Sequence, residues 1–404
     1  DTFVYWGGLI FSEEANDAVV ERIEEWGAMK GVDVEVVMIN ENETVQRISA
    51  AIEAGTMPDA FDLGVDFALL LSQTGQLQAL DDLYQQIGDA HGGWLDAMDA
   101  ILASTDFGGA IYGIPYAASG INVLYRRVDV LEPVGEADAP ATWQEIAVNS
   151  AAGQDPPSHY GMGFALSNVG DANLTTTMLQ SWGGRIADDA GTTCTLDSPE
   201  TRAFLEWITG AFADGLFPPG VTTWDGGGDN TAYQSGNALF IANPGSVYLN
   251  IRENDPELLE ATRFSGLPAG PAMHIVPVTA KLRGIPASTS PEKTELAKDL
   301  FAFLAEDEFM EQYMSAAIYG PALDSQLEFA VFNESPVHIG LADAALNGTP
   351  GTFPDVDNAA LAEYQTNFLT PRMIQRIVVD NLSIDDSIAE TQAACQAIYD
   401  KHNQ

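Results

Sequence analysis

Residues 2–64 alternate two kinds of hydrophobic periodicity, and that alternation restricts the fold more than any other feature of the chain. Thr2-Phe3-Val4-Tyr5-Trp6 is a short apolar run stopped by Gly7-Gly8, which reads as a buried strand. Ser12 then offers a helix N-cap, Val19, Val20, Ile23 and Trp26 recur at helical spacing, and Gly31 ends the element after Lys30. Val32 to Ile39 supplies a second strand, Thr44 to Ala54 a second helix closed by Gly55, and Asp59 to Leu63 a third strand. The order β-α-β-α-β predicts a parallel sheet flanked by helices. Ligands of such sheets bind beyond the carboxyl ends of the strands, so the first candidate binding residues are Trp6, Gly7, Gly8, Asn40, Glu41 and Asp66.

The remaining length calls for a second core. A chain of 404 residues exceeds what one hydrophobic core usually holds, and 46% apolar residues suffice for two. Gly108 to Ala118, followed by Asn122-Val123-Leu124-Tyr125 and Arg126 to Leu131, reads as a glycine turn, a short strand, a Pro-stiffened crossover and a second strand. Such a segment can carry the chain from one lobe to another. No apolar run approaches the roughly 18 to 20 residues that a membrane helix requires.

Sixteen basic against fifty-nine acidic side chains give a net charge of −43. A surface of that sign repels phosphate backbones and anionic membranes, which removes nucleic-acid binding from the expected functions. It suits a saline or acidic medium and equally an ordinary acidic secreted protein. Cys194 and Cys395 stand in no metal-ligand or C-x-x-C spacing, so neither a metal nor a redox pair is expected. One long-range disulfide and two separate thiols both remain open from the spacing.

Catalytic constellations are scarce. Five histidines are scattered singly, no H-E-x-x-H, G-x-S-x-G or P-loop occurs, and Gly161-Met162-Gly163 lacks the third glycine of a dinucleotide fingerprint. No cofactor is expected. The adjacent acids Asp81-Asp82, Asp188-Asp189 and Asp385-Asp386 could in principle serve a glycosidase, though in so acidic a chain such pairs commonly face solvent. Asp355-x-Asp357 begins like a calcium loop but has Ala360 where the turn needs Gly.

The tryptophans discriminate better. Trp26 and Trp207 fall within helical periodicity and read as core. Trp6, Trp94, Trp182 and Trp224 adjoin Gly or Asp at strand ends or in loops, where an indole can face a ligand. A sugar ring presents C–H bonds on its face and hydroxyls on its rim, so it calls for aromatic platforms edged by polar groups. Trp182 with Gly183, and Trp224 with Asp225, are candidate platforms, with packing as the alternative. Asn243, Gly245 and Tyr248 follow an apolar strand and are expected at the same kind of opening, and Tyr319 before Gly320-Pro321 is a similar candidate.

Several short motifs recur in one order along the chain: Ala54-Gly55-Thr56-Met57-Pro58-Asp59, Gly75 to Leu83 with Leu80-Asp81-Asp82-Leu83 at its end, Tyr112-Gly113-Ile114-Pro115-Tyr116, Pro140-Ala141-Thr142-Trp143-Gln144-Glu145, Trp182-Gly183-Gly184, and Leu267-Pro268-Ala269-Gly270-Pro271. Together they resemble the family 1 extracellular solute-binding proteins, the maltose-binding-protein-like sugar-capturing components of ABC importers. The resemblance implies an α/β, two-lobed periplasmic-binding-protein fold of type II-like order, each lobe a mostly parallel sheet flanked by helices with a ligand cleft between lobes. It implies lobe one at 1–115 plus 277–320 and lobe two at 116–276 plus 321–404, with hinge crossings near 115–119, 270–276 and 320–322. Tyr116 in the first crossing then joins the candidate ligand set. Arg283, in a segment where many relatives carry a glycine-rich turn, joins it too.

By the same resemblance the chain is expected to be a non-enzymatic, extracytoplasmic monomer in the periplasm or at the outer face of the cell membrane. It would capture a neutral mono- or disaccharide by hinge closure and deliver it to a membrane permease. A polyol- or polyamine-binding protein of the same fold is one alternative, and a carbohydrate-active hydrolase another.

Overall fold

Strand and helix signals in the sequence become elements with nearly the expected bounds. The computed structural model describes residues 2–40, 43–104, 109–120 and 122–403, so Glu41 and Gly108 lie outside the described residues. The strands that matter below are β1 Phe3–Leu9, β2 Val34–Asn40, β3 Ala60–Gly64, β4 Ile114–Ser119, β5 Val123–Arg127, β6 Tyr160–Met162, β7 Ala238–Asn243, β8 Thr262–Gly266 and β9 Pro277–Gly284. Helices α1 Glu13–Lys30, α2 Thr44–Ala54 and α3 Val65–Gln73 link the first strands. Ser12 caps α1 by accepting the Ala15 N–H at 3.2 Å. Gly31 and Gly55 end α1 and α2 at φ 68° and 69°, a left-handed turn that a side chain resists.

The chain divides into two compact units, and passes between them at three points. Unit 1 comprises Asp1–Ser119 and Val278–Leu346, and unit 2 comprises Gly120–Pro277 and Asn347–Gln404. The third passage falls after Leu346 rather than at 320–322. Gly320 does not leave unit 1 because its N–H and C=O bond to Ala118 at 2.9 and 3.0 Å, and the helix Pro336–Leu346 then adds Ala342 and Ala345 to the unit 1 core.

In unit 1, β1 pairs in parallel with β2 and β3, while β9 pairs antiparallel with β3 on one side and β4 on the other. Phe3, Tyr5, Ile23, Trp26, Phe61, Leu282 and Phe301 belong to its buried core. In unit 2 the order is β6-β7-β5-β8; only β6–β7 is parallel, and β5 runs antiparallel to both β7 and β8. The sheets are therefore mixed, where the expectation was mostly parallel. A helical crossover of a dozen or more residues is what joins parallel neighbours. β4, β5 and β9 adjoin the passages between units and have no such crossover to an adjacent strand.

Cys194 and Cys395 form a disulfide inside unit 2, with Cα atoms 5.9 Å apart across a sequence separation of 201. Gln392 reinforces the join, donating to the Cys194 carbonyl at 2.8 Å and accepting the Asp197 N–H at 3.0 Å. Near residue 142, Thr142 accepts the Glu145 N–H at 3.2 Å as an N-cap should, but the Glu145 carboxylate reaches one residue further back, to Ala141 N–H at 2.6 Å.

Candidate functional site in unit 1 and the polar loops of unit 2

Unit 1 carries a cavity of about 420 Å³ where β1 and β3 end. The two parallel strands bring Gly8 and Asp62 side by side, the first turn of α2 contributes Thr44 and Val45, and the β3–α3 turn contributes Gly64, Val65, Asp66, Phe67 and Leu70. Tyr116 of β4 and Thr279 and Lys281 of β9 complete the wall. Apolar side chains and oxygen- or nitrogen-bearing ones both line it. Neither Glu43 before α2 nor Gly64 before α3 makes a side-chain cap.

Two carboxylates line this cavity and have different jobs. Asp62 is committed to the protein: one oxygen accepts the Tyr5 hydroxyl, the other accepts the Gly8 N–H at 3.0 Å, and Arg283 Nε stands 3.9 Å away. Burial, reinforced by the Asp62 charge, pushes the Tyr5 phenol well above its ordinary value. Asp66 is an exposed residue as a whole, yet the surrounding walls desolvate its carboxyl and raise it above the usual carboxylate range. It is the acidic acceptor at the rim.

The other predicted positions in unit 1 are placed as follows. Trp6 is half-buried against the unit 1 core and does not line the cavity. A side chain at Gly7 would meet Met38 Sδ at 2.6 Å, so glycine there answers to strand packing. Asn40 is exposed at the end of β2, and Trp94 stacks on Tyr84 with centroids 4.5 Å apart. Tyr319 is buried, its ring 5.6 Å from Lys281 Nζ. Arg283 is only 2% exposed and lies behind the wall, against Asp62 and Tyr116, so it offers no guanidinium to a ligand in the cavity.

Unit 2 uses most of its expected platform residues for packing. Trp182, 7% exposed, lies 4.6 Å from Trp207 and 5.7 Å from Phe204, centroid to centroid. Trp207 is itself only partly buried, where full burial was expected. Gly183 has φ 93°, and a Cβ there would stand 3.3 Å from both Ala272 and Glu200. Trp224 is half-buried over Gly228, where an added Cβ would come within 2.4 Å of its ring, and Asp225 accepts the Gly227 N–H at 3.0 Å. Tyr248 is buried edge-on to Phe264 at 5.7 Å, and Gly245 is buried just before the helix Ser246–Asn254.

Asn243 closes β7 and is fully engaged. Its Nδ2 donates to Asn230 Oδ1 at 2.6 Å and Asp229 Oδ2 at 3.4 Å, while its Oδ1 accepts from Ser246 Oγ at 3.1 Å and Val247 N–H at 3.3 Å. Asp229 is 4% exposed; burial, then the neighbouring Asp171, pushes its carboxyl up to about 6. Burial raises Asp171 as well. Arg185 is spoken for by Asp355 at 3.2 Å and Asp189 at 3.1 Å, and Asp355 also accepts the Ile186 and Ala187 N–H groups.

The adjacent acid pairs have local roles. Asp81 and Asp82 open one helix, and Asp385 and Asp386 open another behind the Ser383 cap. Asp188 accepts the Thr192 and Thr193 N–H groups in a turn. Thr44, Val45, Asp62, Phe67, Leu70, Thr279 and Lys281 were not anticipated as cavity residues. One signal was present for Asp62, a carboxylate inside the apolar strand Ala60-Phe61-Asp62-Leu63 that needs a reason to be there.

The fold of the whole chain is shared with solved solute-binding proteins. The structure matches the sugar-binding protein MalE from the phytopathogen Xanthomonas citri with a TM-score of 0.81 at 16% identity, covering 100% of this chain and 98% of that one. It matches maltose-bound T. maritima MalE3 with a TM-score of 0.76 at 21% identity, covering 98% and 99%. In sequence it is 26% identical over 217 residues to the maltotriose-binding protein of Pyrococcus abyssi (strain GE5 / Orsay); that alignment spans 52% of this chain and 43% of the relative's length. The model of the bacterial extracellular solute-binding protein family matches residues 21–337, and the chain belongs to that family.

Proposed function

We propose that this protein is the extracytoplasmic binding component of an ABC importer and captures a neutral mono- or disaccharide without chemically altering it. The observation that carries the reading is the unit 1 cavity. Val45, Val65, Phe67, Leu70 and Tyr116 offer an apolar wall to the C–H face of a ring, and Thr44, Asp66, Thr279 and Lys281 set donors and acceptors around its rim. Family membership supports capture, and the sugar-binding relatives support the ligand class. Closure about the hinge and delivery to a membrane permease belong to the same proposal.

Lys281 in the wall disfavours the polyamine alternative, since a polycation would have to approach an ammonium group. The local roles of the acid pairs weigh against the hydrolase alternative. Among the described residues no helix is long and apolar enough to cross a membrane, which accords with an extracytoplasmic protein delivering to a separate permease.

The test is thermal stabilisation of unfolded and refolded protein against mono- and disaccharides, polyols and polyamines. A sugar at a hundred times its dissociation constant should stabilise the native state by about 2.7 kcal/mol. A response confined to amines, or reducing sugar released from an oligosaccharide, would overturn the reading.

A further inference from the structure

Arg283 is buried in unit 1, touches two cavity residues, and lies outside the cavity itself. On β9 it sits directly opposite Asp62 of β3, an antiparallel cross-strand pair of opposite charge. On its other side β9 pairs with β4, and there the register slips. Leu282 faces Pro115 and Lys281 faces Ala117, which leaves Tyr116 as the extra residue of a bulge. Bulges re-aim side chains. Here the re-aimed ring lies under the guanidinium, 4.1 Å from Cζ to the centroid, with Tyr313 edge-on at 6.0 Å.

We infer that Arg283 is a positioning residue for ligand binding: anchored by Asp62, its planar guanidinium holds the bulged Tyr116 ring as the fixed aromatic wall of the cavity. This rests on the proposed function for its ligand and goes beyond it in assigning the selectivity of the wall to a residue the ligand never meets. Asp62 is the anchor's other half. Its oxygens accept the Gly8 N–H and the Tyr5 hydroxyl, and the oxygen that takes the Tyr5 hydroxyl stands 3.9 Å from Arg283 Nε, so strand end, carboxylate and arginine lie in one charge-paired cluster. Charge follows the same logic. With Asp62 balanced by Arg283, the cavity presents Asp66 and Lys281, one of each sign, which matches an uncharged ligand.

A lysine cannot replace this function, because it carries the charge but not the flat fork that stacks on a ring. Removing the charge alone strands Asp62 in a buried site, so the informative partner variant removes both charges. The experiment uses full-length protein with 13C-labelled tyrosine rings, the Tyr116 resonance being assigned by its loss in Tyr116→Phe. Arg283→Lys and the double variant Arg283→Met with Asp62→Asn are compared with the parent.

In both variants the Tyr116 ring resonance is expected to shift and broaden while the fold, judged by circular dichroism, persists. Affinity for the tightest sugar of the panel should fall at least tenfold. A Tyr116 resonance unmoved in Arg283→Lys, or sugar affinity within twofold of the parent in a folded variant, overturns the inference. Should the parent itself bind no sugar, the proposed function fails, and the Tyr116 resonance still decides whether Arg283 positions the ring.

Discussion

The polar and aromatic residues at the strand ends of unit 1 line an open cavity, while those of unit 2 are largely consumed in holding the unit together. Gly8, Asp66 and Tyr116 reach a wall, whereas Asn243, Trp182 and Tyr248 are saturated by their neighbours. The means of cohesion differ as well. Unit 2 has a disulfide; unit 1 contains no cysteine and instead buries the Arg283–Asp62 pair beneath its cavity. Residue type and position at a strand end therefore say where a binding group can be, and the packing behind it decides whether it is available.

The largest effect should come from unit 2. Cys194→Ser with Cys395→Ser releases a loop whose closure entropy is worth about 5 kcal/mol in the chain-entropy model. Denaturant titration should show that loss, with sugar affinity of the still-folded protein unchanged; unchanged stability would remove the covalent half of the contrast.

Trp182→Ala comes next, at about 3–5 kcal/mol for an aromatic taken out of a packed cluster. Calorimetry should report the drop, and titration below the new melting temperature should find affinity within about threefold of the parent. A collapse of affinity in a stable variant would make Trp182 a platform and blur the difference between the units.

Asp229 makes the third test, through pH. Its folded-state value near 6 exceeds the ordinary 3.8, so between these values the native state holds a proton that the unfolded chain has released. Stability accordingly falls as pH rises through that window and is lowest above it. Asp229→Asn keeps an oxygen for the Asn243 amide, and should stabilise the protein at pH 7 by on the order of 2–3 kcal/mol while flattening the slope between pH 4 and 6. Denaturant midpoints across that range check it, and an unaltered slope would show the carboxylate is not held at this cost.

The smallest effect sharpens the unit 1 side. Leu70 is 53% exposed yet lines the cavity, so Leu70→Ala should leave stability within about 0.5 kcal/mol and weaken sugar binding by about threefold to tenfold. Calorimetric titration distinguishes this from no change, which would place the ligand away from the α3 side of the wall.

Much of the architecture could be read before any coordinates. The alternation of period-2 and period-3.6 segments through Gly64, with glycines at Gly31 and Gly55, marks elements whose stability is local. The first passage between units was marked in the sequence by a strand signal beside a glycine turn, at Ser119. The third was not, because Gly320-Pro321 carries a breaker's composition while its backbone bonds back to Ala118. Strand direction was equally hidden, since periodicity reports which faces are buried and not which way a neighbour runs.

The cavity was half visible. Strand-end logic reached Gly8 and Asp66, but Lys281 and Thr279 depend on the register between β9 and its neighbours, and Tyr116 on a one-residue bulge that no local pattern announces. Asn243 and Trp182 are engaged in packing, which the sequence did not show, because a polar or aromatic residue beside a turn looks the same whether it faces solvent or a neighbour, here Ser246 and Val247 for Asn243 and Phe204 and Trp207 for Trp182. The cysteines left pairing undecided until the C-terminal helix Ile384–His402 was seen against residue 194.

The disulfide also sets the covalent map of the molecule. Val278–Leu346, the whole second passage through unit 1, lies between Cys194 and Cys395. The chain is thus a closed ring of residues 194–395 carrying two tails. One backbone cut by a protease anywhere in that ring, including within unit 1, opens the ring without releasing a fragment, and the two pieces part only when the bond is reduced.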